Sequence, residues 1–210
     1  YPPVPLIEPV KSKRRMIFSV GRFFVGGHSK RQDLQIEALR KLVEGGVSDV
    51  ELHLAGSSSP EPSDIDFLAS IRETAADLPV FFHINCPIAR LKQLYSESLV
   101  YWHATGLGRD LQAEPEKAEH FGISLVEAMS GGAIPVALRA GGPTEIITDG
   151  VNGFLYEDIA GLVDQTRRIM NDISEDELQR LSLAAHSRAL DFSYSRFNDA
   201  ISSLFGQQLR

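Results

Sequence analysis

One cysteine among 210 residues excludes a disulfide within the chain, which suits a reducing compartment. That residue, Cys86, stands before Pro87 with no nucleophile motif around it and reads as a packed or idle thiol. Long apolar runs are missing, which excludes a membrane-spanning helix. A surplus of positive charge is missing too: the formal net charge is −7, against the basic face that broad nucleic-acid binding needs. The basic run at 11–15 reads as a solvated lead-in to a strand. His28, His103 and His120 form no His-x(3)-His pair and join no Cys or acidic residue at ligand spacing, so no metal site is expected. There is no repeat, no low-complexity tract and no signal-peptide pattern; Tyr1-Pro2-Pro3-Val4-Pro5 reads as an extended connector, as if the chain began partway through a longer protein.

What is present is ordinary for a folded protein: 43% hydrophobic and 23% charged residues, in a length that allows one large domain or two small ones. Short apolar runs at 15–20, 50–55, 80–84, 99–102, 134–138 and 154–156 read as strands. Between them come helical patterns. One follows Ser29, a candidate N-cap, with Leu34, Ala38, Leu42 and Val43 on one face and Gly45-Gly46 as its end. Others span about 63–76 and 87–96, the latter with Pro87 in its first turn. A short helix starts at Pro143, and the pattern is helical from Glu157 onward with breaks near Asp172 and Asp191. Strands alternating with helices predict right-handed crossovers and an α/β fold, a Rossmann-like parallel sheet with helices on both faces.

In such a sheet, ligands bind beyond the carboxyl ends of the strands. Gly21 and Arg22 come directly after the first strand, Gly56 after the second, Asn85 and Cys86 after the third, His103 after the fourth, and Gly141-Gly142 lie just past the fifth. The stretch from Glu119 to Gly142 reads as loop, helix, turn, strand, loop, with Gly122 where a helix start leaves N–H groups unpaired and favours anions, phosphate above all.

Glu119 and Glu127 stand in an E-x(7)-E arrangement with Phe121-Gly122 behind the first Glu. Ser19-Val20-Gly21-Arg22 precedes a basic helix start. Ala140-Gly141-Gly142-Pro143-Thr144-Glu145 and Gly150-Val151-Asn152-Gly153-Phe154 come after them in order. Over nearly its whole length the chain resembles the C-terminal, donor-binding half of GT-B retaining glycosyltransferases of the mannosyl-/glucosyltransferase group 1 type. Gly21-Arg22-Phe23-Phe24, the run from Gly27 to Asp33 and Tyr101-Trp102-His103-Ala104 are similar to a sub-branch that includes oligosaccharide-lipid mannosyltransferases.

The resemblance implies that Arg22 and Lys30 hold the diphosphate of a UDP- or GDP-linked sugar, with Gly21 beside them. Arg31 stands where Gly is usual and competes with Lys30 for that role. It implies further that Glu119 accepts hydrogen bonds from sugar hydroxyls, that the amides of Phe121, Gly122 and Ile123 face sugar and diphosphate, and that Glu127 accepts from the ribose. The loop holding Asn85 would lie near the base, and neither metal nor cofactor would be needed. It implies residues 1–12 as a connector from an absent N-terminal acceptor domain, 13–190 as the nucleotide-sugar domain and 191–210 as a C-terminal helix crossing back to that domain. The location expected is cytoplasmic, peripheral to a membrane only through the absent part.

The same residues carry plainer readings. Ser124-Leu125-Val126-Glu127 fits a capping box, Gly141-Gly142 fits a tight turn, and Phe192, Tyr194, Phe197 and Phe205 fit simple packing. Alternatives in function are a nucleotide-sugar epimerase or hydrolase of similar fold, and a binding module without catalysis.

Overall fold

The computed structural model describes residues 1–26 and 28–208, with the side chains of 205–208 outside the description. Six strands form one sheet: β1 (Arg14–Val20), β2 (Glu51–Gly56), β3 (Val80–Ile84), β4 (Ser98–His103), β5 (Ile134–Leu138) and β6 (Phe154–Tyr156). All pairs are parallel and the order is β3-β2-β1-β4-β5-β6. β1, β4 and β5 are buried on both faces, so they are written as near-continuous apolar runs. The chain winds outward from β1 in one direction and from β4 in the other, which opens a crevice at their carboxyl ends.

One face of the sheet is covered by α1 (Gln32–Glu44), α2 (Pro62–Thr74) and α6 (Ile159–Arg167), whose Ile36, Leu39, Leu68 and Leu162 pack on Ile17, Leu52 and Val136. The other face is covered by α3 (Ile88–Glu97), α4 (Ile123–Ser130) and α7 (Glu175–Leu190), through Leu94, Tyr95, Leu125, Met129 and Ala185 on Phe18 and Tyr101. Fully burying a Leu or Ile side chain contributes roughly 1.5–3 kcal/mol, and both layers hold several. Trp102, fully buried, donates its ring N–H to Thr166 (2.9 Å), so the one polar atom of a large apolar side chain is satisfied. Between β5 and β6 comes α5 (Pro143–Ile146), and the chain ends in α8 (Tyr194–Gln208). The breaks expected near Asp172 and Asp191 are present, the first as a π-helical turn, Arg168–Asp172.

Some local expectations are corrected. Ser29 is not the cap of α1: the helix begins three residues later, at Gln32, and Arg31 holds the cap position in left-handed conformation (φ 49°). Ser29 Oγ instead accepts from the Arg31 amide (3.2 Å). Residues at the amino end are packed rather than merely extended: Val4 and Ile7 are buried, the Val4 amide donates to Phe192 O (2.8 Å), and the Ile7 amide to Ser130 Oγ (2.9 Å). Of the tail aromatics Phe192 packs, while Tyr194 and Phe197 on α8 are exposed with Ile201 and Leu204; the Phe205 side chain lies outside the described residues. Among the described residues no helix is long and apolar enough to cross a membrane.

Candidate functional site

Two cavities meet at the carboxyl end of β1, where Val20 and Gly21 line both. The first, about 420 Å³, is bounded by Gly21, Lys30, Glu119, His120, the Phe121–Ser124 backbone run and Glu127. The second, about 410 Å³, is bounded by Gly21, Arg22, Gly56, Asn85, Cys86 and Leu91. The structure thus brings together Gly21, Lys30, Glu119, Phe121, Gly122, Ile123 and Glu127 in one cavity and joins Arg22 and Asn85 to them through Gly21. Arg31 stands apart. Its guanidinium pairs with Asp33 (2.9 Å) and donates to the Leu107 carbonyl, and it lines neither cavity.

The first cavity is shaped by backbone geometry. Gly122 caps α4 at φ 107°, a conformation that side-chain-bearing residues rarely adopt, and so turns the chain into the helix. Among the described residues, the amides of Phe121, Gly122, Ile123 and Ser124 have no acceptor within the protein. Four unpaired N–H groups at a helix start make a positive cradle. The capping-box reading fails because Ser124 lies inside the helix, not at its cap. Gly141 and Gly142 press against the loop ahead of α4. The Gly142 amide donates to Glu119 O (2.8 Å), and a Cβ on either glycine would overlap the Glu119 or Phe121 backbone. The glycine pair is therefore a seat for the loop that carries Glu119.

Glu119 is held by one oxygen. Oε2 receives Lys30 Nζ, His103 Nε2 (2.9 Å) and Thr105 Oγ1 (3.4 Å), while among the described residues Oε1 has no donor. Burial pushes the Glu119 carboxyl up, but the His103 hydrogen bond and the Lys30 ammonium outweigh it and hold the group well below the usual carboxylate range. His103 is itself pushed down by burial, so it stays neutral; it serves as a donor and Lys30 supplies the charge. Lys30 lies across Gly21, where any side chain would collide with its aliphatic stem. Its ammonium has three donors, of which one is engaged by Glu119.

Glu127 is treated differently. Its Oε2 accepts from Tyr95 Oη (2.8 Å), and burial pushes its carboxyl up, only partly offset by that hydrogen bond. Arg22 stacks its guanidinium over the Phe24 ring at 4.5 Å. At the mouth, His28 meets the edge of His120, ring centres 5.2 Å apart. Among the described residues no three or more His, Cys, Asp or Glu side chains gather as metal ligands would.

Sequence reasoning missed His103, Thr105 and Tyr95 as partners of the two carboxylates. His103 carried a signal, since it closes the apolar β4 run at the rim. Tyr95 carried none: it sits on α3, 32 residues from Glu127, and only the packing of α3 on α4 joins them.

The chain has relatives among known proteins. A family model described as "Glycosyl transferases group 1" matches residues 7–188. The chain is 29% identical over 207 residues to the GDP-Man:Man(3)GlcNAc(2)-PP-Dol alpha-1,2-mannosyltransferase of Mus musculus, covering 93% of this chain and 38% of that protein. It is 30% identical over 160 residues to the D-inositol 3-phosphate glycosyltransferase of Nocardia farcinica, 75% of this chain and 31% of that one. The chain thus spans well under half the length of these curated relatives. Among solved structures, a glycosyltransferase of Rickettsia africae superposes with TM-score 0.75 at 19% identity, over 96% of this chain and 49% of that one. The C-terminal domain of a glycosyl transferase group 1 family protein (LpcC) of Francisella tularensis superposes with TM-score 0.68 at 16% identity, over 90% of this chain and 97% of that one.

Proposed function

The chain belongs to the glycosyl transferases group 1 family, and from that premise we propose that it is the domain holding a nucleotide-diphosphate sugar for a retaining glycosyltransferase. One observation carries the reading: the four unpaired amides at the start of α4, the Lys30 ammonium and two half-buried carboxylates converge on a single cavity. The unpaired amides and Lys30 meet the charge that builds on phosphate oxygens as the nucleoside diphosphate departs, and Arg22 approaches from the adjoining cavity. Because these donors are fixed before the reaction, they stabilise that charge without rearranging. Two of the Lys30 protons remain for phosphate oxygens while the third stays on Glu119. Glu119 takes sugar hydroxyls, Glu127 takes the ribose, and the second cavity, lined by Asn85 and Cys86, takes the base.

In this reading the fixed cations and amides do the work that a metal ion does elsewhere. The leaving phosphate itself helps deprotonate the acceptor, whose site lies on another domain. The name of the mouse relative makes GDP-mannose the first donor to try, and the structures of Anabaena HepE, solved with UDP and glucose, make UDP-glucose the second.

The test is a thermal-shift panel of GDP, UDP and ADP with their sugars. A ligand that binds only the native state raises the midpoint. One nucleotide pair is expected to do so, and the isolated chain is expected to transfer no sugar. Absence of any shift, or robust transfer by this chain alone, overturns the proposal.

A further inference from the structure

The Glu119 carboxylate has all its donors on one oxygen, and the fully buried donor among them, His103, has no other task in the site. A carboxylate only accepts, so His103 Nε2 carries the proton. In a neutral ring Nδ1 is then bare, and no donor reaches it: it is one of the few buried side-chain atoms without a partner. A buried ring left half-satisfied is explained if the other half is the point of it. The His103 carbonyl is fixed as well, by the Tyr156 hydroxyl at 3.0 Å, so strand end and ring are both clamped.

We propose that His103 is the positioning residue of the donor site: its Nε2–H turns the Glu119 carboxylate so that Oε1 faces the sugar as a free, ionised acceptor. This rests on the donor-binding reading above. Lys30 and Thr105 share Oε2, but Lys30 divides its donors between Glu119 and the proposed phosphate, and Thr105 is at the limit of hydrogen-bond distance, 3.4 Å. His103 gives Glu119 a close donor, at 2.9 Å, that no phosphate shares, which separates sugar recognition from diphosphate recognition.

The experiment titrates the chain with GDP and GDP-mannose, and with UDP and UDP-glucose, by calorimetry. The quantity read is the preference for nucleotide sugar over the bare diphosphate. His103→Phe keeps a flat ring and removes the N–H. It is expected to leave diphosphate affinity within about twofold and to cut the preference about tenfold, the size of one lost hydrogen bond to a charged group. His103→Gln, whose amide reaches the Nε2 position, is expected to restore most of it. Equal losses for both ligands, or no change in either, overturn the proposal. If the Phe variant does not fold, the wild-type chain decides. Nitrogen-15 spectra at neutral pH are expected to show His103 neutral with its proton on Nε2; a proton on Nδ1, or an imidazolium at neutral pH, overturns it. If none of the four ligands binds the wild type, the donor-binding reading itself falls, and this inference with it.

Discussion

Glu119, in the loop ahead of α4, and Glu127, within that helix, line the same cavity, and burial pushes both carboxyls up. Their acidities still part company. The His103 hydrogen bond and the Lys30 ammonium drive Glu119 below the ordinary range; Glu127 meets the Tyr95 hydroxyl, and burial still holds it above. Burial alone therefore does not set the charge of a carboxylate in this cavity. The His103 hydrogen bond and the Lys30 charge do, and a fixed charge on the loop side beside a less acidic group on the helix side gives the two ends of the cavity different chemistry.

The contrast can be broken most forcefully from the Lys30 side. Lys30→Met removes the ammonium shared by Glu119 and the proposed diphosphate; affinity for the diphosphate is expected to fall roughly 10- to 100-fold by calorimetry, as for a lost charged hydrogen bond or two. A change under about twofold would show that Arg22 and the amides suffice.

Next in size is Gly142→Ala, whose Cβ would overlap the Phe121 carbonyl and unseat the Glu119 loop while leaving Glu127 and Tyr95 untouched. A loss of about 2 kcal/mol in denaturant unfolding is expected. Glu127→Gln keeps an acceptor for the Tyr95 hydroxyl and removes a half-buried charge. Nucleotide affinity is expected to fall about tenfold, with stability unchanged or slightly raised at neutral pH; a matching loss of stability would return Glu127 to a structural role. Tyr95→Phe takes from Glu127 its one donor among the described residues and is expected to cost about 1 kcal/mol of stability.

The smallest effect has the clearest sign. Glu119 has a native pKa below the unfolded value of 4.5, so the unfolded chain takes up its proton first as pH falls, and the wild type loses stability below about pH 4.5. Glu127 has a native pKa above 4.5, so the native state takes up its proton first, and between that raised value and 4.5 falling pH adds stability. Acid melts of Glu119→Gln should therefore lack the loss, and those of Glu127→Gln should lack the gain. Parallel curves for the two variants would erase the distinction.

Much of this was legible in the residues. The strands β3, β5 and β6 fall on the bounds expected from their apolar runs, and β5 and β6 do so because strands buried in a parallel sheet tolerate few polar interruptions. The rim residues were legible for the same reason. Once the sheet is parallel, strand ends point at one crevice, and Gly21, Asn85 and His103 stand at the carboxyl ends of three of its strands. Local hydrogen-bonding devices were not legible. Ser29 and Ser124 each fit a helix cap in sequence, yet neither caps a helix, because left-handed Arg31 and Gly122 set the starts of α1 and α4 instead. Nor could the chain's order reveal which carboxylate oxygen is occupied, since Lys30 precedes α1 while His103 and Thr105 stand together at the end of β4, and only the folded sheet gathers the two segments on Glu119.

The half-buried Cys86 sits on the wall of the second cavity, and it is the chain's one thiol. A maleimide dye therefore has a single attachment point, on the cavity that the proposed function gives to the base. Protection of that thiol from labelling is a gel-readable gauge of occupancy that needs no mutation to install.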